Sequence, residues 1–347
     1  MAADRGIDLA FDRAMAALLG VAIGDALGMP SQTLNRDQIR AAYGHIEDFR
    51  DAVADQPVSG GISAGTITDD TEQSLLLAHL LLAGNGHFDE ARWARALLDW
   101  ERETHARGVN DLLGPSTKRA IDALLRGVPA SETGRFGTTN GAAMRIAPVG
   151  IATPVEPLSR LVDEVERTCR VTHNTSEAIG SAAAVAAVVS AGIDGARFEA
   201  AMPIALAAAR AGEQRGFPAT AGRISERIAA ALSLAASVSG PEPAEQVAQR
   251  VGTSVAAVES IPMAFAMVRL AGGDPWAAAI ASANIGDDTD TIGAIACGMA
   301  AACAGQAALP PAKIATITAV NRFDLAPLVS GLLGLRARQA AIPSGGA

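Results

Sequence analysis

The chain has 347 residues, which is enough for one large domain or two domains of ordinary size. Hydrophobic residues make up 49% of it but aromatic residues only 3%, so its core must consist mainly of small aliphatic side chains. The net charge of −9, without any Lys/Arg-rich run, argues against a nucleic acid polymer as a partner.

The three cysteines match no zinc-binding spacing, and their odd number favours reduced thiols. The apolar run 14–24 follows acidic residues and not the basic flank of a signal peptide. Two uncharged stretches, 178–193 and 291–312, are long enough to cross a membrane, but their Ala/Gly-rich composition favours buried helices. We therefore expect a cytoplasmic protein with no membrane partner.

Apolar residues recur with helical spacing along almost the whole chain, and no sustained period-2 alternation indicates strands. Residues 35–65 show only weak helical pattern and are predicted to form a connecting segment on the protein surface. No linker or internal repeat divides the sequence, which predicts one all-α domain over residues 1–341 and a loose tail over 342–347. The predicted helices occupy residues 12–27, 74–83, 88–105, 115–126, 157–170, 176–191, 198–212, 221–237 and 255–270, with one or two more within 311–339.

Two acidic clusters each precede an apolar helix. Residues 287–291 read Asp-Asp-Thr-Asp-Thr and residues 68–71 read Thr-Asp-Asp-Thr. Such residues are ordinary helix caps, and one cluster alone favours capping. Crowded carboxylates repel one another, however, which a cap does not require and a divalent cation relieves. Because the excess occurs twice, we expect two distant helix N-termini to meet at a metal site.

A glycine-rich segment, 134–141, interrupts the helical pattern. Three glycines in eight positions require backbone freedom or a close approach to another group, so the segment is the best candidate for a ligand-binding loop. It leads to Arg145, expected about one turn into a new helix among apolar neighbours. An ion pair with a buried acid is the favoured role for Arg145 over direct contact with a ligand.

Five motifs follow one another along the chain. They are Gly-Asp-Ala-Leu-Gly at 24–28, Thr-Asp-Asp-Thr at 68–71, Asn-Gly-Ala-Ala-Met-Arg-Ile-Ala-Pro at 140–148, Thr-His at 172–173 and Gly-Asp-Asp-Thr-Asp-Thr at 286–291. In this order they resemble the ADP-ribosylglycohydrolase family, which includes hydrolases that remove ADP-ribose from proteins. The resemblance spans residues 12–305 and implies a compact orthogonal bundle of α-helices with two Mg²⁺ or Mn²⁺ ions in a central cleft.

The resemblance implies a metal-ligand set that consists only of oxygen donors. Oxygen ligands suit hard cations such as Mg²⁺ and Mn²⁺, whereas zinc would favour His or Cys. The implied ligands are Thr68, Asp69, Asp70, Asp288, Asp290 and Thr291.

The family's substrate-contacting segments match further positions of this chain. His173 corresponds to the family's histidine near the phosphates or ribose, with a simple helix-entry role as the alternative. Asp287 could tighten a metal, bond a sugar hydroxyl or cap the helix. The implied substrate-binding residues are Asp25, Gly137, Thr138, Asn140, Gly141, Arg145, His173 and Asp287.

Cleavage of a ribosyl bond at C1′ passes through a cation-like sugar, so the enzyme must fix the ribose, supply water and assist the leaving group. Two cations about 3.5–4 Å apart can hold the ribose hydroxyls and activate water while a carboxylate takes its proton. Asp69, Asp70, Asp288 and Asp290 are too alike for the sequence to identify the base, and we favour the 288–290 side. Gln32 is a further candidate catalytic residue.

Two positions depart from the family pattern. Many members that act on modified proteins have a glutamate where this chain has Gln32, and the commonest motif has a glycine where it has Asp287. The main prediction is a metal-dependent glycosidic hydrolase acting on an ADP-ribosylated protein or an ADP-ribosyl small molecule. A hydrolase of free nucleosides or other small ribosyl compounds, and a catalytically weak ADP-ribose-binding regulatory protein, remain alternatives.

Overall fold

A computed structural model describes residues 2–106 and 113–341, and the predicted tail 342–347 lies outside them. Within these ranges the chain forms α-helices, two short 3₁₀ helices (Met29–Ser31 and Gln306–Ala308) and two isolated β-bridges, without any β-strand. The helices are α1 (Ala2–Gly28), α2 (Arg36–Tyr43), α3 (Asp69–Ala83), α4 (Glu90–Ala106), α5 (Pro115–Leu125), α6 (Ala130–Thr133), α7 (Gly141–Met144), α8 (Ala147–Ala152), α9 (Leu158–Cys169), α10 (Ser176–Ile193), α11 (Phe198–Gly212), α12 (Ile224–Ser237), α13 (Pro243–Val251), α14 (Ala257–Leu270), α15 (Pro275–Ala283), α16 (Thr289–Ala304), α17 (Pro311–Asn321) and α18 (Ala326–Ala340).

The all-α prediction is confirmed, but helices α13 and α15 are not predicted by the sequence pattern. Each begins with a proline, Pro243 and Pro275, that punctuates the sequence and yet occupies the first helical turn, where its missing N–H costs nothing. Asp274 then caps α15 by accepting a hydrogen bond from Ala277 N at 2.8 Å. Arg145 follows the last residue of the short helix α7 and does not lie one turn inside a helix.

Nearly all buried hydrophobic residues of the described chain belong to one continuous cluster. The assignment of a single domain stays a prediction. Two helical segments, Leu9–Ser31 and Ser176–Ile193, are long and apolar enough to cross a membrane by length and composition alone. In each segment, 94% of the 18-residue apolar stretch is buried inside the protein, as in core helices.

Helices α1 and α16 make the most extensive helix–helix contact. Glycines at every fourth position of α1 form this contact: Gly20, Gly24 and Gly28. A Cβ atom on Gly24 would lie 2.1 Å from the carbonyl oxygen of Gly293, and one on Gly28 would lie 2.4 Å from that of Thr289. The two backbones therefore touch, which fixes the first turn of α16 against the end of α1.

We expect Gly24→Ala to destabilise the protein by about 1–3 kcal/mol or more, because the added methyl group must push two backbones apart. Chemical denaturation monitored by circular dichroism measures this change. Gly334→Ala is the matched control: it lies inside α18 with only Arg338 Nη1 near the new Cβ, at 3.7 Å, and should stabilise by about 0.5–1 kcal/mol. Equal effects of the two substitutions would contradict the close packing of α1 on α16.

Candidate active site

The N-termini of α3 and α16 meet at the centre of the structure. Thr68 precedes the first residue of α3, and Asp288 precedes the first residue of α16. The hydroxyl of Thr291 donates a hydrogen bond to Asp70 Oδ2 at 3.3 Å. This bond joins the two clusters, although the two residues are 221 positions apart in the sequence. The fold thus brings together the two acidic clusters that the sequence analysis singled out.

Asp25 caps α3 from the neighbouring helix α1. Its carboxylate accepts hydrogen bonds from Thr68 N at 2.9 and 3.0 Å, from Thr71 N at 3.1 Å, and from both threonine hydroxyls. Burial raises the pKa of Asp25 to about 6, although these donors oppose the shift. Predicted as a substrate contact, Asp25 is fully buried in the structure, where it holds the first turn of α3 in place.

Four carboxylates of the two clusters share one poorly hydrated region. Burial, reinforced by their mutual repulsion, raises the pKa of Asp69, Asp70 and Asp290 well above the usual value. The pKa of Asp288 rises to about 6, chiefly because it is buried. Without a positive charge nearby, this arrangement favours protonated acids.

The chemistry of these donors fits a hard divalent cation. Asp70 Oδ1 and Asp290 Oδ1 are buried and have no hydrogen-bond partner within the described residues, so each has a free lone pair. The same part of the chain contains no group of three or more His, Cys, Asp or Glu side chains already gathered as a metal site. Oxygen-only donors and unsatisfied carboxylate atoms support Mg²⁺ or Mn²⁺ at this position.

A cleft of about 160 Å³ opens over the acidic cluster. Asp69, Asp288 and Asp290 line it together with Asn140 and Gly141. This volume is small for a ligand site, since such sites usually measure roughly 300–1,000 Å³. The cleft therefore suits only part of a nucleotide-sized ligand.

The cleft adjoins a second cavity of about 260 Å³, and Thr33 lines both. Asp287 and Arg36 also line this second cavity. A larger cavity of about 700 Å³ lies between α9 and α18, but the described residues around it include none of the predicted site residues. The functional cleft is therefore identified by its chemistry and not by its size.

The glycines of segment 134–141 allow it to pack on residues 172–173. A Cβ atom on Gly137 would lie 2.1 Å from the carbonyl oxygen of Thr172, and one on Gly141 would lie 2.9 Å from His173 Cε1. Gly141 borders the cleft, whereas Gly137 is buried behind it. Glycine is therefore required at positions 137 and 141, because a side chain there would collide with residues 172–173 of the same protein.

Two polar residues of the same segment face different ways. The Asn140 side chain donates hydrogen bonds to Asp288 Oδ2 and, at 3.0 Å, to Ser260 Oγ, so it orients one of the predicted metal ligands. Thr138 is exposed, and its carbonyl oxygen accepts a hydrogen bond from Ala257 N at 3.0 Å. Asn140 is therefore part of the cleft wall, whereas Thr138 ties the segment to α14.

The expected ion pair of Arg145 with a buried acid is wrong. Its guanidinium donates to Gln73 Oε1 and Thr172 Oγ1, both at 2.6 Å, and lies over the Trp93 ring at 5.2 Å. None of its close partners in the described part of the chain is acidic, and burial lowers its pKa to about 10. The guanidinium is well satisfied by neutral acceptors, so a carboxylate is not needed.

His173 is also fully buried, next to Arg145. Burial, with the positive charge of Arg145, holds the pKa of His173 well below its usual value, so its ring is neutral. Both Arg145 and His173, predicted as substrate contacts, lie behind the wall of the cleft in this structure. A hydrogen bond links His173 to the cleft, because its Nε2 lies 2.9 Å from the hydroxyl of Thr139, which lines the cleft.

Gln32 is buried in the cleft wall, and its side-chain amide donates to Ser59 Oγ. The backbone carbonyl oxygen of Gln32 accepts a hydrogen bond from Gln56 Nε2 at 2.8 Å. This bond holds the connection between α2 and α3 against the cleft. Ser59 and Gln56 are not among the residues predicted from the sequence. They are neutral residues in a segment without helical pattern, and no sequence signal distinguishes them.

Asp287 adopts a left-handed backbone conformation, with φ of +66°. Its N–H donates to Leu34 O at 2.8 Å and its carbonyl oxygen accepts from Thr33 N at 2.7 Å. A glycine reaches this conformation without strain, which accounts for the family's preference, and aspartate tolerates it better than most residues. The side chain is exposed, and α16 has no side-chain cap, so the capping role considered for Asp287 is wrong.

An all-α fold in which two acidic helix N-termini meet beneath a cleft defines a class of helical proteins with an oxygen-rich site. The sequence model of the ADP-ribosylglycohydrolase family matches residues 7–341. The chain therefore belongs to the ADP-ribosylglycohydrolase family, and this membership supports hydrolysis of ADP-ribosyl linkages.

Individual relatives agree with this assignment. The Escherichia coli (strain K12) protein named "Uncharacterized protein YegU" is 35% identical over 95% of this chain and 99% of its own. The ADP-ribosylarginine hydrolase Tri1 of Pseudomonas putida (strain GB-1) is 29% identical over 93% of this chain and 81% of its own. A solved structure titled "ADP-ribosylglycohydrolase-related protein complex" has a TM-score of 0.64 at 24% identity, covers 96% and 99% of the two chains, and shows the shared fold.

Proposed function

We propose that this protein is a metal-dependent hydrolase that cleaves the C1′ bond of an ADP-ribosyl group. The observation that carries the proposal is the contact between the two acidic helix N-termini, where Asp70 and Asp290 each have a buried oxygen without a partner among the described residues and Asp290 lines the cleft. A protein that only bound ADP-ribose would have no need of so many repelling carboxylates.

The residues that would hold two Mg²⁺ or Mn²⁺ ions are those that the family resemblance implies. Asp69, Asp288, Asp290 and Thr291 line the cleft, and the buried Thr68 and Asp70 flank Asp69 in the chain. When bound, the cations would orient the ribose hydroxyls, lower the pKa of water and neutralise the carboxylates. The set consists of Thr68, Asp69, Asp70, Asp288, Asp290 and Thr291.

Asp290 is better suited than Asp288 to accept a proton from the attacking water. Asp288 Oδ2 already accepts a hydrogen bond from Asn140, which fixes its orientation, whereas Asp290 Oδ1 has no partner among the described residues. A neighbouring cation would keep Asp290 ionised despite its burial, since opposite charge favours the carboxylate. We assign the base to Asp290 and an orienting role to the pair Asn140–Asp288.

The leaving group that we propose is a cationic one, such as the guanidinium of a modified arginine. Asp287 presents an exposed carboxylate to the cavity that adjoins the cleft, and the nearby charge of Glu259 adds to the negative potential there. Arg36, which also lines this cavity, donates to Glu245 O at 3.3 Å and pairs with the Glu245 carboxylate at 3.6 Å. The name of the Pseudomonas putida relative supports an arginine linkage.

The proposal predicts release of ADP-ribose from ADP-ribosyl-arginine in the presence of Mg²⁺ or Mn²⁺, with weaker or no activity on ADP-ribosyl-serine and on ribonucleosides. Asp287→Asn should lower kcat/KM on the arginine substrate by about tenfold, because it removes a charge that faces the cation. Asp37→Asn, an exposed acid on α2, is the control. Hydrolysis of ribonucleosides alone would instead favour small-molecule catabolism.

A further inference from the structure

Arg36 and Asp287 border the same cavity, but the charge of Arg36 is directed elsewhere. Both residues line the cavity of about 260 Å³ that adjoins the cleft. The Arg36 guanidinium pairs with the Glu245 carboxylate at 3.6 Å and donates to the Glu245 carbonyl oxygen at 3.3 Å. Among the described residues, Glu245 is the one acid with which Arg36 forms an ion pair. A positive and a negative side chain thus share one cavity without neutralising each other.

The start of α2 packs directly on the turn that carries Asp287. A Cβ atom on Gly286 would lie 3.2 Å from Arg36 N and 3.5 Å from Arg36 Cγ. Asp287 N also donates to Leu34 O at 2.8 Å, which fixes the turn against the residues just before α2. Beyond Cγ the arginine side chain continues through Cδ and Nε to the guanidinium. It is therefore long enough to turn either toward Glu245 or toward Asp287.

Glu245 is itself held in place by its helix and by a second arginine. It lies in the first turn of α13, where the helix dipole favours a negative charge. Arg40 Nη2 contacts Glu245 Oε2 and Glu242 Oε1, both at 2.8 Å. The side chains of Arg36 and Glu245 are only 28% and 23% exposed, so salt screens their attraction less than that of a fully exposed pair. These contacts retain the Arg36 guanidinium at α13.

A released Arg36 would oppose the reaction proposed above. Its guanidinium and a cationic leaving group would compete for the carboxylate of Asp287, and the two positive charges would repel each other. An arginine in the wall of this cavity is therefore compatible with a cationic leaving group only when its own charge is compensated elsewhere.

We propose that Glu245 is a positioning residue that holds the Arg36 guanidinium away from Asp287 and so keeps the Asp287 carboxylate available to a cationic leaving group. The inference rests on the proposed function, because it assigns the same leaving group to Asp287. Glu245 does not line the cavity, and it influences substrate specificity through Arg36 alone.

The activity test uses the substitutions Glu245→Ala and Arg36→Met. Glu245→Ala should lower kcat/KM on ADP-ribosyl-arginine by about threefold to tenfold, because the released guanidinium pairs with Asp287. Arg36→Met removes the charge but keeps the apolar stem that packs on Gly286. Added to Glu245→Ala, it should restore kcat/KM to within about twofold of the wild type, which the loss of a purely structural contact would not allow.

Glu242→Ala is the matched control, because it removes the same charge from the start of α13. Glu242 pairs with Arg40 and, among the described contacts, not with Arg36. This variant should keep the wild-type kcat/KM. An equal loss in Glu242→Ala, or a loss in Glu245→Ala that Arg36→Met does not reverse, would overturn the proposal.

A crystal structure of the Glu245→Ala variant tests the position of Arg36 without any substrate. The Arg36 guanidinium should lie within about 4 Å of the Asp287 carboxylate, the distance of an ion pair. A guanidinium that remains at α13 would overturn the proposal. A wild-type protein that releases no ADP-ribose from ADP-ribosyl-arginine would refute the proposed function, whereas the crystal structure decides separately whether Glu245 restrains Arg36.

Discussion

Asp70→Asn is expected to raise the melting temperature of the chelator-treated protein by a few degrees and to remove most of its stabilisation by Mn²⁺. The wild-type carboxylate is buried among like charges, so its ionised form is destabilising when no cation is present. With Mn²⁺ at about 100 times its Kd, the wild type should gain about 2.7 kcal/mol, and the variant lacks one of the proposed ligands that would provide this gain.

The sign of the pH dependence follows from the raised pKa of Asp70. The pKa of this carboxyl group is higher in the folded than in the unfolded state. The protein therefore becomes less stable as the pH rises from the unfolded pKa toward the folded pKa. The advantage of Asp70→Asn in chelator should therefore be larger at pH 7.5 than at pH 5. Thermal denaturation at both values, with and without Mn²⁺, measures it.

Asp55→Asn is the matched control, because Asp55 is an exposed acid outside the cleft. It should change neither the melting temperature in chelator nor the response to Mn²⁺. If Asp70→Asn retained the full stabilisation by Mn²⁺, Asp70 would not be a metal ligand. If it lowered the melting temperature in chelator, the proposed repulsion between the clusters would be wrong.

Gln32→Glu is expected to raise activity on ADP-ribosyl-serine, by as much as the factor of about 10²–10⁴ that acid–base catalysis contributes. Gln32 lies in the cleft wall, but a neutral amide cannot transfer a proton to a serine hydroxyl as it departs. The Ser59 hydroxyl that now accepts from Gln32 can donate to a carboxylate instead, so the new side chain should keep its position.

Gln38→Glu provides the control for added charge. Gln38 lies in the capping box of α2 outside the cleft, and glutamate fills that capping role equally well. Stabilisation by Mn²⁺ should be the same in both variants and in the wild type. Strong hydrolysis of ADP-ribosyl-serine by the unmodified protein would show that the site obtains its catalytic proton from another group.

The sequence identified the acidic clusters because their composition exceeds what helix capping requires. Two carboxylates at 69–70 and three within 287–290, each ahead of an apolar helix, remain visible without knowledge of the fold. The glycine-rich segment 134–141 was also recognised, but glycine spacing does not reveal which group makes the close approach. In the structure that group includes the backbone of Thr172.

Other features depend on tertiary contacts that leave no local pattern. Asp25 reads as an isolated acid in an apolar helix, and only the packing of α1 shows that it caps α3. The contacts that run from Arg145 through Thr172 and His173 to Thr139 involve hydroxyl groups and a neutral histidine. These residue types are common throughout proteins. Short helices that begin with proline, such as α13, were missed because the same residue also ends helices.

The most direct test of the account is the rate of ADP-ribose release from ADP-ribosyl-arginine by the wild-type protein and by Asp290→Asn, each with Mn²⁺ and with chelator. We predict release by the wild type only when Mn²⁺ is present, and a rate for Asp290→Asn that is lower by a factor of about 10² or more. Release that persists in chelator, or that Asp290→Asn leaves unchanged, would contradict a metal-dependent reaction at the meeting point of α3 and α16.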